Sequence, residues 1–303
     1  MHGLNESGCS VAMRVNPQCF GCLLSVRLRE LIECAERDGA LPSLVSLFLR
    51  RAAAIFESES ELTKLATKLY RELISLAPCV VESHRARKRE SIREALLRLG
   101  AYSARLETLR GEKRFAAAVR VALAGNLLDS GVAGHEPSWI EPNEVEVSEL
   151  EIDHVPELYR LVSRGLKVLY LLDNAGEAVF DSLLVEEMTK LGCEVVAAVK
   201  SEPGFQNDVT INDVKETPLK SLLPTVIETG TNASSVHLDE VSAEFLEELR
   251  SCNIVVAKGM SHYEYLTEIH VGRPVFHLLV AKCDVVARSL GVQRGSFVAM
   301  VRL

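Results

Sequence analysis

The spacing of hydrophobic residues changes near residue 145. Up to about residue 130 it is helical, as at Leu62, Leu65, Ala66, Leu69, Leu73 and Ile74. Ser58 and Glu61 precede this stripe with the spacing of a capping box, which predicts a helix start there. Residues 131–143 are rich in Gly and Pro and indicate a linker.

Beyond residue 150 the pattern consists of short apolar runs typical of buried strands. They are Val168–Leu172, Val195–Val199, Thr225–Glu228, Ile254–Ala257 and Val275–Val280, and 296–303 is a candidate closing strand. Most are separated by segments long enough for a helix, which favours a parallel sheet. We therefore predict an α/β fold: a helical N-terminal domain (1–145) and a Rossmann-like, doubly wound, mostly parallel sheet domain (146–303).

Composition limits the classes of partner that the chain is expected to bind. A net charge of −8 over 303 residues argues against nucleic acid as the main partner. The apolar runs are shorter than the ~18 residues of a membrane-spanning helix, and the N-terminus lacks the apolar core of a signal peptide. With eight cysteines, these features predict a cytoplasmic protein with reduced thiols and no membrane partner. The oligomeric state stays open.

Polar and small residues follow the predicted strands, where parallel sheets bind ligands. Grouped by the strand they follow, they are Asp173, Asn174, Gly176 and Glu177; then Lys200, Asn207 and Asp208; then Thr231; and finally Lys258 and Gly259. Asp173, Asn174 and Asp208 are hard oxygen donors, which suit Mg²⁺ or Mn²⁺. Lys258 and the helix N-terminus near Ala175 suit a phosphate group. For any single carboxylate, a turn or helix cap is the structural alternative.

Two further features carry open alternatives. Asn126 and Asp129 lie on the apolar stripe of a predicted helix, which favours buried, paired side chains. Alternatively, that helix ends near Gly125 and Asp129 is an exposed cap. Cys19 and Cys22 have zinc or redox spacing, but no second Cys-x-x-Cys completes a zinc site, so simple burial is the default interpretation.

Several ordered blocks of the sequence resemble the damage-control phosphatase family, also known as domain of unknown function eighty-nine. The blocks are AGNLLD (124–129), LLDNAGEAVFD (171–181), VKSEPGFQNDVTINDV (199–214), TGTNA (229–233), AKGMSHYE (257–264) and HLLVAKCDVVARSLGV (277–292). The early Cys-x-x-Cys is similar to the archaeal-type branch. The resemblance extends from Cys19 over nearly the whole chain.

The resemblance implies a helical domain joined to a Rossmann-like domain, and a metal-dependent phosphatase of small phosphorylated metabolites. It implies that Asp173, Asn174 and Asp208 bind a divalent metal ion, such as Mn²⁺, Co²⁺, Ni²⁺ or Mg²⁺. Lys258 would contact phosphate. Asn126, Asp129 and Glu264 would also line the pocket. The chain departs from the family at His262, usually Asn, and at Ser234-Ser235, usually Pro-Gly, which leaves the substrate open.

These observations predict hydrolysis of a phosphomonoester by a metal-activated water. The predicted catalytic residues are Asp173, Asp208, Lys258 and Glu264, and either Asp208 or Glu264 would take the proton of the water. The predicted substrate-binding residues are Asn126, Asp129, Gly176, Glu177, Thr231, Lys258, Gly259 and His262. Two alternatives are an S-adenosylmethionine-dependent methyltransferase and a non-catalytic metal-binding module.

Overall fold

The computed structural model describes residues 14–35, 39–129, 131–145 and 148–303. Within them the helices are α1 (Pro17–Ala35), α2 (Leu41–Ser58), α3 (Leu62–Leu76), α4 (Cys79–Glu107), α5 (Gly111–Gly125), α6 (Pro142–Val145), α7 (Val155–Val162), α8 (Glu177–Lys190), α9 (Ile211–Glu216), α10 (Leu219–Leu222), α11 (Ala243–Ser251), α12 (Gly259–Leu266) and α13 (Asp284–Leu290). A 3-10 turn, Asn126–Leu128, follows α5.

Seven strands form one sheet in the order β1-β7-β6-β5-β2-β3-β4. They are β1 (Leu150–Asp153), β2 (Lys167–Leu171), β3 (Glu194–Val199), β4 (Val226–Glu228), β5 (Ile254–Lys258), β6 (Val275–Val280) and β7 (Phe297–Arg302). Neighbouring strands are parallel except β6 and β7. The predicted fold class is confirmed. The five predicted strands and the closing strand are present, whereas β1 was not predicted.

The central strands are buried on both faces, which explains their continuous apolar runs. In β2, Val168 and Tyr170 join the core on the side of α5 and α8, while Leu169 and Leu171 join the core on the side of α11. Helix α5 packs on α8 through Gly125, where a Cβ atom would lie 3.3 Å from Glu177 Cγ.

Helix α5 links the predicted helical domain to the sheet. Phe115 and Val119 of α5 belong to the same hydrophobic core as Val168 and Tyr170 of β2. Helices α1, α2 and α3 form a separate apolar core around Leu65 and neighbouring residues. The division at residue 145 remains a prediction, and the chain on either side of it shares one core.

Two local expectations are wrong. Ser58 is the last residue of α2, and its Oγ donates to the Ala54 carbonyl, so it cannot cap α3, whose N-cap residue is Glu61. Cys34 and Cys79 form a disulfide between the end of α1 and the start of α4, so the expectation of reduced thiols fails for this pair. Among the described residues, the structure has no helix long and apolar enough to cross a membrane.

Candidate active site

Three predicted site residues meet where adjacent strands end. Asp173 follows β2, Asp208 lies in the loop after β3, and Lys258 ends β5, and these strands are neighbours in the sheet. The backbones of Asn174 and Asp208 form an isolated bridge, and Val209 N donates to Asp173 O at 2.8 Å. The two loops are therefore tied together at the edge that the strand pattern indicated.

The Asp173 carboxylate is held by amide side chains and by the close approach of a glycine. Its Oδ2 accepts from Asn126 Nδ2 at 3.3 Å and from Asn174 Nδ2 at 3.1 Å. Gly259 has φ of +76°, and a Cβ atom on it would lie 1.9 Å from Asp173 Oδ2. Both the backbone conformation and the available space therefore require glycine at this position.

Glu177, the first residue of α8, connects the groups around Asp173. Its Oε2 accepts from Asn126 Nδ2 at 2.9 Å and from Asn174 Nδ2 at 2.7 Å. Its Oε1 lies 2.7 Å from Lys258 Nζ. Glu177 is fully buried, and its hydrogen bonds fix the positions of the Asn126 and Asn174 side chains.

Lys258 is surrounded by oxygen atoms of the protein, and the predicted phosphate contact remains a prediction. Its Nζ donates to Ala122 O at 2.6 Å and to Asp181 Oδ1 at 2.8 Å, and Glu177 supplies the third oxygen. Two hydrogen bonds and the ion pair with Glu177 therefore engage the Lys258 ammonium group within the protein. Sequence reasoning did not single out Asp181, although its position four residues after Glu177 puts both carboxylates on one face of α8.

Asp208 and Lys200 form a buried pair of opposite charge with incomplete hydrogen bonding. Asp208 Oδ2 lies 3.8 Å from Lys200 Nζ, and neither atom has a hydrogen-bond partner in the described part of the chain. Burial raises the pKa of Asp208 to about 8, although Lys200 opposes the shift. Burial, with repulsion from Asp208 and Glu177, holds the pKa of Asp173 well above its usual range. The raised pKa values reflect the cost of burying several carboxylates close together, a cost that a bound cation would lower.

Asn126 and Asp129 are both buried, but α5 ends before them. Asn126 begins the 3-10 turn, and its Oδ1 accepts from Val280 N at 3.1 Å. Asp129 accepts from Lys282 Nζ at 2.8 Å, and this pairing helps to lower the Asp129 pKa against the effect of burial. The helix thus ends at Gly125, as one of the two alternatives predicted. The same alternative predicted that Asp129 is exposed, which is wrong because Asp129 is buried.

Thr231 and Gly176 contact protein groups other than the site carboxylates. Thr231 Oγ1 donates to Glu240 Oε2 at 2.8 Å and accepts from Arg71 Nη2 at 3.2 Å. Gly176 is the N-cap residue of α8, and a Cβ atom there would lie 1.9 Å from Ser91 Oγ. Thr231 therefore has protein partners, and Gly176 allows the close approach of α4.

His262 lies in α12 between two loops of the site. Its Nδ1 is 2.9 Å from Ser235 Oγ, and its Nε2 is 3.4 Å from Leu172 O. Burial, reinforced by the positive charge of Lys200, holds the His262 pKa well below its usual range. The ring is therefore neutral at physiological pH and serves as a hydrogen-bonding side chain.

Glu264 faces a cavity beside the carboxylate group. The cavity has a volume of about 250 Å³, and Cys19, Cys22 and Cys283 also line it. Burial and repulsion from Glu268 raise the pKa of Glu264 to about 8. Burial likewise raises the pKa of Cys19 to about 11, so this thiol is protonated at neutral pH.

Comparison with known proteins identifies the family. The model of the damage-control phosphatase ARMT1-like domain matches residues 15–298. Damage-control phosphatase PH1575 of Pyrococcus horikoshii is 32% identical over 301 residues, covering 95% of this chain and 98% of that protein. A damage-control phosphatase of Archaeoglobus fulgidus is 32% identical over 297 residues, covering 95% and 99%.

The fold agrees with this match. A crystal structure of the DUF89 family protein PH1575 from Pyrococcus horikoshii superposes with a TM-score of 0.78 at 29% identity, over 95% of this chain and 99% of that one. The family resemblance found in the sequence blocks is therefore confirmed. The chain belongs to the damage-control phosphatase ARMT1-like family.

Proposed function

We propose that this protein is a metal-dependent phosphatase that hydrolyses phosphomonoesters of small metabolites, including sugar phosphates or damaged phosphometabolites. The proposal follows from membership of the damage-control phosphatase family and from the relatives of that name. The observation that carries it is the unsatisfied Asp208 Oδ2, buried beside Asp173 at the carboxyl ends of parallel strands.

The residues present fit a divalent cation. A buried carboxylate oxygen without a partner is rare, and a bound cation would offset the repulsion between Asp173 and Asp208. Asp173, Asn174 and Asp208 would hold Mn²⁺, Co²⁺, Ni²⁺ or Mg²⁺, which supplies a Lewis acid for the phosphoryl group and for a water. No three His, Cys, Asp or Glu side chains in the described ranges are arranged to hold a metal, so Asn174 would be the third donor.

The remaining residues would orient the metal-binding side chains and neutralise charge on the substrate. Asn126 and Glu177 fix Asp173 and Asn174 by the hydrogen bonds given above. The N-terminus of α8 directs the positive end of its dipole toward the same edge of the sheet, which favours the anionic substrate. Asp208 would accept the proton of the attacking water, because it belongs to this group of carboxylates whereas Glu264 faces the cavity.

Metal removal and replacement test the proposal. Protein treated with a chelator is expected to lose phosphate release from para-nitrophenyl phosphate and from a panel of sugar phosphates, and separate additions of Mn²⁺, Co²⁺, Ni²⁺ or Mg²⁺ should restore it. Asp173→Asn should reduce turnover at least ~1000-fold, because it removes a metal-binding charge. The exposed Asp239→Asn is the matched control. Turnover by Asp173→Asn at the wild-type rate, or no turnover with any metal, would contradict the proposal.

A further inference from the structure

Lys200 is a buried cation without a hydrogen-bonding partner. It follows β3, its side chain is almost completely buried, and no acceptor among the described residues bonds to its Nζ. The 3.8 Å separation from Asp208 Oδ2 is too long for a hydrogen bond. Because an unsatisfied buried ammonium is costly, its position indicates a binding site for an anionic group.

Comparison with the other buried lysines makes Lys200 distinctive. The described part of the chain buries four lysines: Lys88, Lys200, Lys258 and Lys282. Lys88 Nζ lies 2.5 Å from Asp213 Oδ2, and Lys282 Nζ lies 2.8 Å from Asp129 Oδ2. Lys258 has three oxygen neighbours. Lys200 alone of these four has all its donors available.

We propose that Lys200 binds the phosphoryl group of the substrate, and that Lys258 is a positioning residue that holds Glu177 and Asp181. This inference rests on the proposed phosphatase function. Asp208 and Asp173 are the acidic groups that interact with Lys200. Once a divalent cation neutralises those two carboxylates, Lys200 is the nearby positive charge that remains for the phosphate oxygens.

Phosphate affinity provides a measurement that does not depend on turnover. We would titrate inorganic phosphate into metal-loaded wild type, Lys200→Met and Lys258→Met by calorimetry. Lys200→Met should weaken phosphate binding at least tenfold, because it removes a charged donor. Lys200→Arg should recover most of the affinity. Lys220→Met, which removes an exposed lysine, should stay within about twofold of wild type.

Metal affinity separates binding from a merely structural role. Removing a positive charge beside the carboxylates should leave cation binding to Lys200→Met unchanged or tighter. If Lys200→Met weakens metal and phosphate binding together, or does not weaken phosphate binding at all, the inference is overturned. A loss of phosphate binding in Lys258→Met alone would also overturn it. If Lys200→Met does not fold, Lys200→Gln takes its place in the same titrations.

The two proposals fail in distinguishable ways. Wild type that binds phosphate through Lys200 but hydrolyses no phosphomonoester would contradict the phosphatase proposal and support the Lys200 assignment. Wild type that hydrolyses phosphomonoesters while Lys200→Met binds phosphate normally would support the phosphatase proposal and overturn the Lys200 assignment.

Discussion

Ser235 and His262 are hydrogen bonded to each other, with 2.9 Å between Ser235 Oγ and His262 Nδ1. The family resemblance implies that both positions differ from the residues usual there. The two departures therefore form one contact, which joins the loop after β4 to α12 beside the carboxylates. We expect the two side chains to be energetically coupled.

A double-mutant cycle measures this coupling. Ser235→Ala and His262→Asn should each lower the free energy of unfolding by about 1 kcal/mol, and the double variant should lose less than the sum by a similar amount. Urea denaturation of the four proteins gives the interaction energy. Strictly additive losses would show that the contact contributes nothing.

Gly259→Ala should inactivate the enzyme through Asp173. Gly259 and Gly272 both have φ of +76°, but a Cβ atom on Gly272 meets nothing within 4 Å. Gly272→Ala therefore introduces only the backbone strain, about 1 kcal/mol. Gly259→Ala adds a collision with the carboxylate and should lower kcat at least ~100-fold in metal-restored assays. Equal kcat in the two variants would show that Asp173 tolerates displacement.

Glu264 should make stability fall as the pH rises. Its pKa is raised from 4.5 to about 8 in the folded protein, so between these values the folded chain keeps a proton that the unfolded chain releases. Glu264 therefore makes its full contribution to the free energy of unfolding below pH 4.5. That contribution declines as the pH approaches 8.

Glu264→Gln should remove that decline. We compare the free energy of unfolding of Glu264→Gln with that of wild type by denaturant titration at pH 4.5 and pH 8. The difference should shift in favour of the variant by on the order of 1–3 kcal/mol between the two pH values. The exposed Glu244→Gln is the control and should follow wild type. If the free energy of unfolding of Glu264→Gln falls with pH as steeply as that of wild type, another group causes the pH dependence.

Reduction of the Cys34–Cys79 disulfide should destabilise the protein. The bond closes a loop with a sequence separation of 45, for which chain entropy predicts about 4 kcal/mol. Cys34→Ser/Cys79→Ser should show this loss in urea denaturation, and wild type should match it when reductant is added. Alkylation followed by mass spectrometry, with and without reductant, checks that the bond is present. Cys252→Ser, at a free buried cysteine, is the control.

The parallel topology made part of the site predictable. Residues after neighbouring parallel strands must meet, so the grouping of Asp173, Asn174 and Asp208 follows from the apolar runs alone. Their roles as metal ligands remain predictions. By contrast, the partners of Lys258 depend on how α5 packs on α8, because the Ala122 carbonyl is 136 residues away in the chain. No local pattern specifies such a contact.

Two failures of prediction have local causes. Strand β1 has only four residues with alternating partial exposure, so it lacks the apolar run that marked the central strands. Ser58 has the residue type and spacing of a cap, but a serine hydroxyl can equally bond to the preceding turn, as it does here. In both cases tertiary packing decided between two locally acceptable states.

Strand β7 lies between β1 and β6 although it is the last strand in the sequence. The strand to which β1 bonds therefore lies about 150 residues later in the chain. A nascent chain that stops before residue 297 leaves two strand edges unpaired, and such edges favour association with other chains. The pairing of β7 with both β1 and β6 thus removes two strand edges at which another chain could add.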